Sequence, residues 1–265
     1  MSLLLQISDT HFGTEQPAVV QALAQLAHEA RPDLLVLSGD ITQRARGHQF
    51  QAARTFIDGL GLPLLAVPGN HDIPLFNLAA RLLWPYAGYR RAFGAELEPT
   101  HASEQLLVLG VNTTRRWRHK HGELSARQIE RVAARLQAAD AGQLRVVVVH
   151  QPVAVPDTHD ANNLLRGHRA ALQRWAEAGA DVVMGGHIHL PYVLPLRGLA
   201  RPVWAVQAGT ALSSRTRRGG PNSVNLLRWG AGAAPGVCVV ERWDYAREDR
   251  RFHLFGSSPL TPARP

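Results

Sequence analysis

Hydrophobic and polar positions follow two periods along this chain. Residues 3–8, 34–37, 62–67, 144–149 and 181–184 are short apolar runs of the length expected for buried strands. Between them the period lengthens to that of a helix. Ala18 to Ala30 sets Val19, Leu23, Leu26 and Ala27 on one face, and Pro32-Asp33 breaks it. His48 to Leu60 does the same with Phe50, Ala53, Phe56 and Ile57, ending at Gly59 and Gly61. Ser125 stands as an N-cap, with Gln128 as its capping-box partner, before a helix predicted over 126–138. A further helix is predicted over 168–178, and the spacing over 73–83 is also helical until Trp84-Pro85 interrupts it. Strands alternating with helices predict a sheet with crossover connections.

Residues 104–111 read as one more strand, and after His189 the character changes. Short β-like runs at 192–196, 202–207, 223–229, 236–245 and 251–255 are separated by Gly, Pro and Asn turns. They predict an antiparallel meander forming a second sheet against the first. The pattern gives one domain over 1–256. Residues 257–265, with three prolines, are expected to be a loose C-terminal tail.

Five of the apolar runs end in residues that can bind metal. Residues 3–8 deliver Asp9-Thr10-His11, and 34–37 deliver Ser38-Gly39-Asp40. Residues 62–67 lead through Pro68-Gly69 to Asn70, His71 and Asp72. Val149 precedes His150, and Met184 precedes Gly185-Gly186-His187-Ile188-His189. In open α/β sheets ligands bind at the carboxyl ends of strands. A mixed nitrogen and oxygen donor set suits Mn, Fe, Zn or Co better than Ca or Mg. Asp9 and His11 are two apart, which in an extended segment puts both side chains on one side. The bland alternative is that such polar residues only satisfy turns, a role that Gly69 and Gly186 fit as backbone hinges.

In order, Asp9-x-His11, Gly39-Asp40, Gly69-Asn70-His71-Asp72, His150 and Gly186-His187-x-His189 resemble the signature blocks of the calcineurin-like metallophosphoesterases. The pattern is closest to the class III cyclic nucleotide phosphodiesterases. The resemblance implies a four-layer αββα sandwich, two facing mixed β-sheets flanked by helices. It also implies two divalent metal ions, the first held by Asp9, His11, Asp40 and His189 and the second by Asp40, Asn70, His150 and His187. Asp40 would bridge them, and a metal-bridging hydroxide would attack the phosphodiester. His71 would then serve as the catalytic residue beside the scissile phosphate. The family often orients this histidine with an acidic residue three positions after the bridging Asp; here that position is Gln43, and Asp72 is the candidate substitute. Where many relatives have two consecutive histidines, this chain has His150-Gln151.

The expected substrate is a small phosphodiester such as a 3′,5′-cyclic nucleotide. A nuclease, a nucleotide-lipid pyrophosphatase of the same superfamily and a noncatalytic metal-binding scaffold are the alternatives. The pyrophosphatases usually carry Arg where this chain has His71, and no amphipathic membrane-binding helix is evident. The chain is short for the accessory DNA-binding parts of a nuclease complex, so a nucleic-acid partner is not favoured. No membrane span is expected, and a homodimer is left open.

Composition changes this picture little. The chain has 265 residues, a formal net charge of +8 and a sequence pI of about 10.8. Such charge suits a polyanionic partner, but Lys120 is the only lysine among 29 basic residues, and this arginine bias reads as compositional. The densest basic stretch, 115–122, interleaves Trp117 with cations; Arg115, Arg118 and His121 are its candidate substrate contacts, with a solvated loop as the equal alternative. Arg215, Arg217 and Arg218 border the expected site from 210–220. Tyr86, Tyr89 and Phe93 cover the site mouth or, more simply, fill core. Cys238 is the only cysteine, in a Val-rich run, and reads as a buried apolar residue. The N-terminus lacks a charged leader region and a cleavage site, so a cytoplasmic location is expected.

Overall fold

The structure, a computed structural model, describes residues 2–217, 219–230 and 236–264. Arg218 lies outside the described residues. The first half of the chain runs β1 (Ser2–Ile7), α1 (Pro17–Ala30), β2 (Leu34–Ser38), α2 (Gly47–Leu60) and β3 (Leu64–Val67). A turn of 3-10 helix, Asn70–Asp72, precedes two short helices, α3 (Leu78–Leu83) and α4 (Ala87–Phe93). Then come β4 (Thr100–Ala102), β5 (Leu106–Gly110), α5 (Ala126–Gln137), β6 (Leu144–Val148), α6 (His168–Glu177) and β7 (Val182–Gly185). The chain ends with β8 (Tyr192–Leu196), β9 (Val203–Gln207), β10 (Ser223–Trp229), β11 (Cys238–Ala246) and β12 (Arg251–Leu260).

Local chemistry explains most boundaries. Pro17 opens α1, where its missing N–H costs nothing, and Arg31 ends it in a left-handed conformation. Ser125 caps α5 through the predicted box: its Oγ accepts from the Gln128 amide at 3.2 Å, and Gln128 Oε1 accepts from the Ser125 amide at 3.1 Å. The helix expected from Ile73 starts only at Leu78. Pro74 disfavours helical backbone at Ile73, and Asn77 Oδ1 caps the Ala80 amide at 2.9 Å.

The strands form two six-stranded sheets, ordered β12-β11-β10-β1-β2-β3 and β4-β5-β6-β7-β9-β8. In the first, β1 is central, parallel to β2 with Leu4 opposite Leu34 and antiparallel to β10 with Leu4 opposite Leu227. Alternation along β1 sorts its side chains. Leu3, Leu5 and Ile7 pack with Leu23 of α1 and Ile57 of α2. Leu4 packs the other way, against Val146 of β6 and Met184 of β7. On the far side of the second sheet, Leu109 and Val147 pack with Leu136 of α5 and Trp175 of α6. The four layers are therefore helices, sheet, sheet, helices: the αββα sandwich that the resemblance implies.

Two expectations are corrected. The strands after His189 do not make a sheet of their own. β8 and β9 extend the second sheet, with β9 parallel to β7, while β10 to β12 extend the first as an antiparallel meander. Alternation specifies which face of a strand is buried, not which strand lies beside it. The loose tail also starts later than residue 257. β12 continues to Leu260, which is buried and pairs with Cys238, and Pro259 is tolerated because β12 is an edge strand. Tyr89 is core, its hydroxyl donating to the Ala66 carbonyl at 2.7 Å, and Tyr86 donates to the Thr114 carbonyl at 3.1 Å.

Beyond the strand, Arg264 docks on Asp181, just before β7. Asp181 is fully buried and accepts from the Arg145 amide at 2.9 Å, from Arg201 at 3.0 Å and from both terminal nitrogens of Arg264 at 3.0 Å. Removing this carboxylate leaves partly buried guanidinium groups without their counter-ion. Asp181→Ala is expected to lower the unfolding free energy by about 3 kcal/mol, read as a lower urea midpoint with the slope unchanged.

Candidate metal centre

All five strand ends that the sequence singles out open on one edge of the sandwich. Asp9 and His11 follow β1, Asp40 follows β2, and Asn70, His71 and Asp72 follow β3 in the first sheet. His150 follows β6, and His187 and His189 follow β7 in the second. To converge there the backbone adopts an unusual conformation. Asp9, His11, Asp40, His187 and His189 have φ of 50°, 41°, 49°, 76° and 55°. Left-handed backbone is uncommon outside glycine and costs on the order of 1–3 kcal/mol per residue, held only where the surroundings over-determine it. Backbone bonds do this: the Asp9 amide donates to Gly39 O and the His11 amide to Asp40 O, both at 3.0 Å.

The side chains make three overlapping groups able to hold a metal: Asp9, His11 and His189; His11, Asp40 and His71; and Asp40, His150 and His187. His189 Nε2 lies 3.2 Å from Asp9 Oδ1 and 3.1 Å from His11 Nε2. His11 Nε2 is 3.8 Å from Asp40 Oδ2, and His150 Nε2 is 3.2 Å from Asp40 Oδ1. The outer nitrogens are already committed. His150 Nδ1 donates to the Ser38 carbonyl at 2.8 Å, and His189 Nδ1 to the Arg215 carbonyl, so both Nε2 atoms face inward. Asn70 Oδ1 and both ring nitrogens of His187 are buried without a hydrogen-bond partner. Buried polar atoms are rarely left so, and a carbonyl oxygen beside imidazole nitrogens is a donor set that a divalent cation satisfies.

The electrostatics agree. Burial pushes the Asp9 carboxyl up, but His189 and His150 override it and hold the group at about 2. Burial likewise opposes ionisation of Asp40, yet the histidines around it, His150 foremost, keep it well below the usual carboxylate range. Burial lowers His11 and His187 to about 3, so both are neutral and each keeps a lone pair on one ring nitrogen. His150 goes the other way: burial disfavours its charged form, but Asp40 outweighs this and raises it to about 9.

The two residues expected to steady His71 act differently from expectation. His71 Nδ1 donates to the backbone carbonyl of Gln43 at 2.9 Å, so the position is used but its side chain is not. Asp72 makes no bond to the His71 ring. It accepts from the amides of Ile41 at 3.1 Å, Thr42 at 2.8 Å and Gly69 at 2.8 Å, and from Thr42 Oγ1 at 2.9 Å, tying the loop after β2 to the loop after β3. Gly69 and Gly186 serve close approach rather than hinging. A Cβ at Gly69 would strike the backbone nitrogen and carboxylate of Asp40, and one at Gly186 would strike Ser8 Oγ.

The basic stretch divides. Arg115 bonds the carbonyls of Asn112 and Thr114 at 3.1 and 2.9 Å and Gln128 Oε1 at 2.6 Å, bracing the loop to α5. Arg118 pairs with Glu123 at 2.5 Å. Neither they nor His121 line the cleft beside the centre, whose volume is about 480 Å³. Lys120, Asn163, His187, His189, Arg215 and Arg217 line it. Of this loop only Lys120 reaches the cleft, and composition could not tell a cation already paired from one that is not. Arg215, from the stretch expected to border the site, reaches furthest in: its Nη1 lies 3.0 Å from Gln43 Oε1, 3.4 Å from His71 Nε2 and 3.3 Å from His11 Nδ1. Arg217 is held by Asp160 at 3.0 and 2.8 Å.

Known proteins are similar to this chain. Residues 3–191 match the calcineurin-like phosphoesterase family. A probable cyclic nucleotide phosphodiesterase from Synechococcus is 24% identical over 202 residues, covering 72% of this chain and 74% of that protein. The glycerophosphodiester phosphodiesterase GpdQ from Enterobacter lignolyticus is 38% identical over 81 residues, covering 26% of this chain and 29% of that protein. A dimetal phosphatase from Danio rerio superposes with a TM-score of 0.71 over 99% of both chains at 12% identity, a likeness of fold. With the family matched over most of its length, the chain belongs to the calcineurin-like phosphoesterases, hydrolases of phosphoric esters.

Proposed function

We propose that this chain is a dinuclear metal-dependent phosphodiesterase acting on small diesters, 3′,5′-cyclic nucleotides first among them. The observation that carries this reading is the setting of Asp40, whose two oxygens face different imidazoles, His11 at 3.8 Å and His150 at 3.2 Å. A carboxylate so flanked can give one oxygen to each of two cations. Asp9, His11, Asp40 and His189 would hold one ion, and Asp40, Asn70, His150 and His187 the other; Mn, Fe, Zn or Co suits these donors. When bound, the pair supplies Lewis acidity to the phosphate and a lowered pKa to water.

The chain's own residues account for the rest. Gln43 O fixes Nδ1–H of His71, so that the imidazolium form, with its second proton on Nε2, can deliver that proton to the leaving alkoxide and return to the neutral ring; positioned proton transfer contributes roughly 10²–10⁴-fold. Arg215 stands beside that nitrogen, where its guanidinium can take a non-bridging phosphate oxygen. The cyclic nucleotide reading is supported by the Synechococcus relative, similar over most of the chain. Glycerophosphodiesters are the second reading, from the shorter but closer likeness to GpdQ.

Mn²⁺-loaded protein is expected to cleave both 3′,5′-cyclic AMP and bis(p-nitrophenyl) phosphate, and Asn70→Ala to lose both. Cleavage of the synthetic diester alone would remove the cyclic nucleotide assignment and direct the assay to glycerophosphodiesters. Arg215→Ala is expected to lose roughly 10–100-fold in kcat/KM, the worth of one charge-assisted hydrogen bond, with metal content unchanged by elemental analysis.

Metal capture should depend on pH through His150. At pH 7 this imidazole, raised to about 9, carries a proton that must leave before Nε2 can bind an ion. Calorimetric titration with Mn²⁺ in buffers of different ionisation enthalpy should therefore show proton release at pH 7. Affinity should rise as pH climbs toward 9. Proton uptake, or affinity falling over that interval, would contradict the assignment of His150.

A further inference from the structure

Among the described residues eight large apolar side chains are exposed, and six of them lie on two neighbouring segments. Phe76, Leu78, Leu82, Leu83, Trp84 and Trp117 are between 52% and 80% exposed. Single exposed apolar residues are ordinary; a contiguous group marks an interaction surface. These six share one platform. Arg81, buried within α3, donates to the carbonyls of Pro74 at 3.0 Å and Arg118 at 2.5 Å. Arg116 donates back to the carbonyl of Leu82 at 2.7 Å. The platform adjoins the metal centre: its first segment follows Asp72, and its second runs on to Lys120 in the cleft wall.

The charge around the platform is mainly positive. Residues 73–95 and 113–122 contain seven Arg and Lys and no Asp or Glu. Arg118 is offset by Glu123, but Arg116 lies 5.9 Å from the ring of Trp117, and Arg44, from the loop after β2, lies 5.5 Å from that of Phe76. Two tryptophans, short-range leucines and flanking arginines are the composition of a surface that sits at a lipid headgroup layer. A second copy of the chain is the rival occupant. A two-fold contact sets the same patch against itself, which here would bring a mainly cationic surface against its like, its neighbouring acid Glu123 being already paired with Arg118. An anionic bilayer supplies both the apolar depth and the opposite charge.

We infer that α3, its flanks and the Trp117 loop form a surface that docks the protein on anionic membranes. The helical pattern alone could not reveal it, because α3 has only six residues and half of the apolar groups come from outside it. The inference does not depend on the assignment of the metal ligands. Docked in this way, the cleft would face phosphoric esters carried by lipids.

The test is flotation of the full chain with vesicles of phosphatidylcholine alone or mixed with phosphatidylglycerol. The expected result is binding to the mixed vesicles, weaker binding to the neutral ones and loss with rising salt. A Phe76→Ala, Trp84→Ala, Trp117→Ala triple variant, with unchanged circular dichroism, should bind the mixed vesicles at least ~10-fold more weakly. Absence of wild-type binding would overturn the inference. So would undiminished binding of the triple variant, which would reduce the effect to general basic attraction. Sedimentation showing a wild-type dimer that the triple variant dissociates would assign the surface to a second copy instead.

Discussion

Seven candidate ligands from five loops can meet only if every loop leaves its strand at the same edge and turns sharply inward. That geometric demand shapes the molecule. It explains why Asp9, His11, Asp40, His187 and His189, whose side chains could hold a metal, occupy backbone conformations that glycine would hold more easily. It explains why glycine appears instead at Gly69 and Gly186, where a neighbouring loop passes too close for any Cβ. The strain is tolerated because the sandwich beneath is rigid, with apolar strands packed on both faces of each sheet.

Apolar packing between the sheets is non-directional and would allow one to slide on the other. Buried polar contacts beneath the site add direction. Gln6 of β1 donates to Ser38 Oγ at 3.2 Å within its own sheet and to the Gly185 carbonyl of β7 at 3.0 Å across the gap, and it accepts from Asn225 at 2.9 Å. Because Asp9 and His187 follow directly from these two strands, that glutamine fixes how the two halves of the centre face each other. Asp9 completes the tie by accepting the His187 amide on both carboxylate oxygens, at 3.1 and 2.9 Å.

Much of this was legible in the chain because each apolar run announces its strand and the residue after it announces the site. All seven candidate ligands and His71 are where the strand ends put them. What was not legible is what periodicity does not encode. It cannot say that β9 lies parallel to β7, since the alternation of Val203 to Gln207 is the same beside any neighbour. It cannot say that Gln43 meets His71 through its backbone carbonyl while its carboxamide takes Arg215, or that Asp72 turns from His71 to three amides. Nor does it distinguish Arg115, spent on Gln128, from Arg215, which points at His71. These are choices among partners within one loop's reach, and only the folded chain makes them.

The carboxylate of Asp72 has a consequence for how an ion would be captured. By gripping the amides of Ile41, Thr42 and Gly69 together, it makes the loops bearing Asp40 and Asn70 a single body. The conformational entropy of ordering those loops is then lost when the chain folds, not when a cation arrives. An ion reaching this edge meets donors already spaced, and its own size must suit the gap, because the gap has little freedom to adjust to the ion.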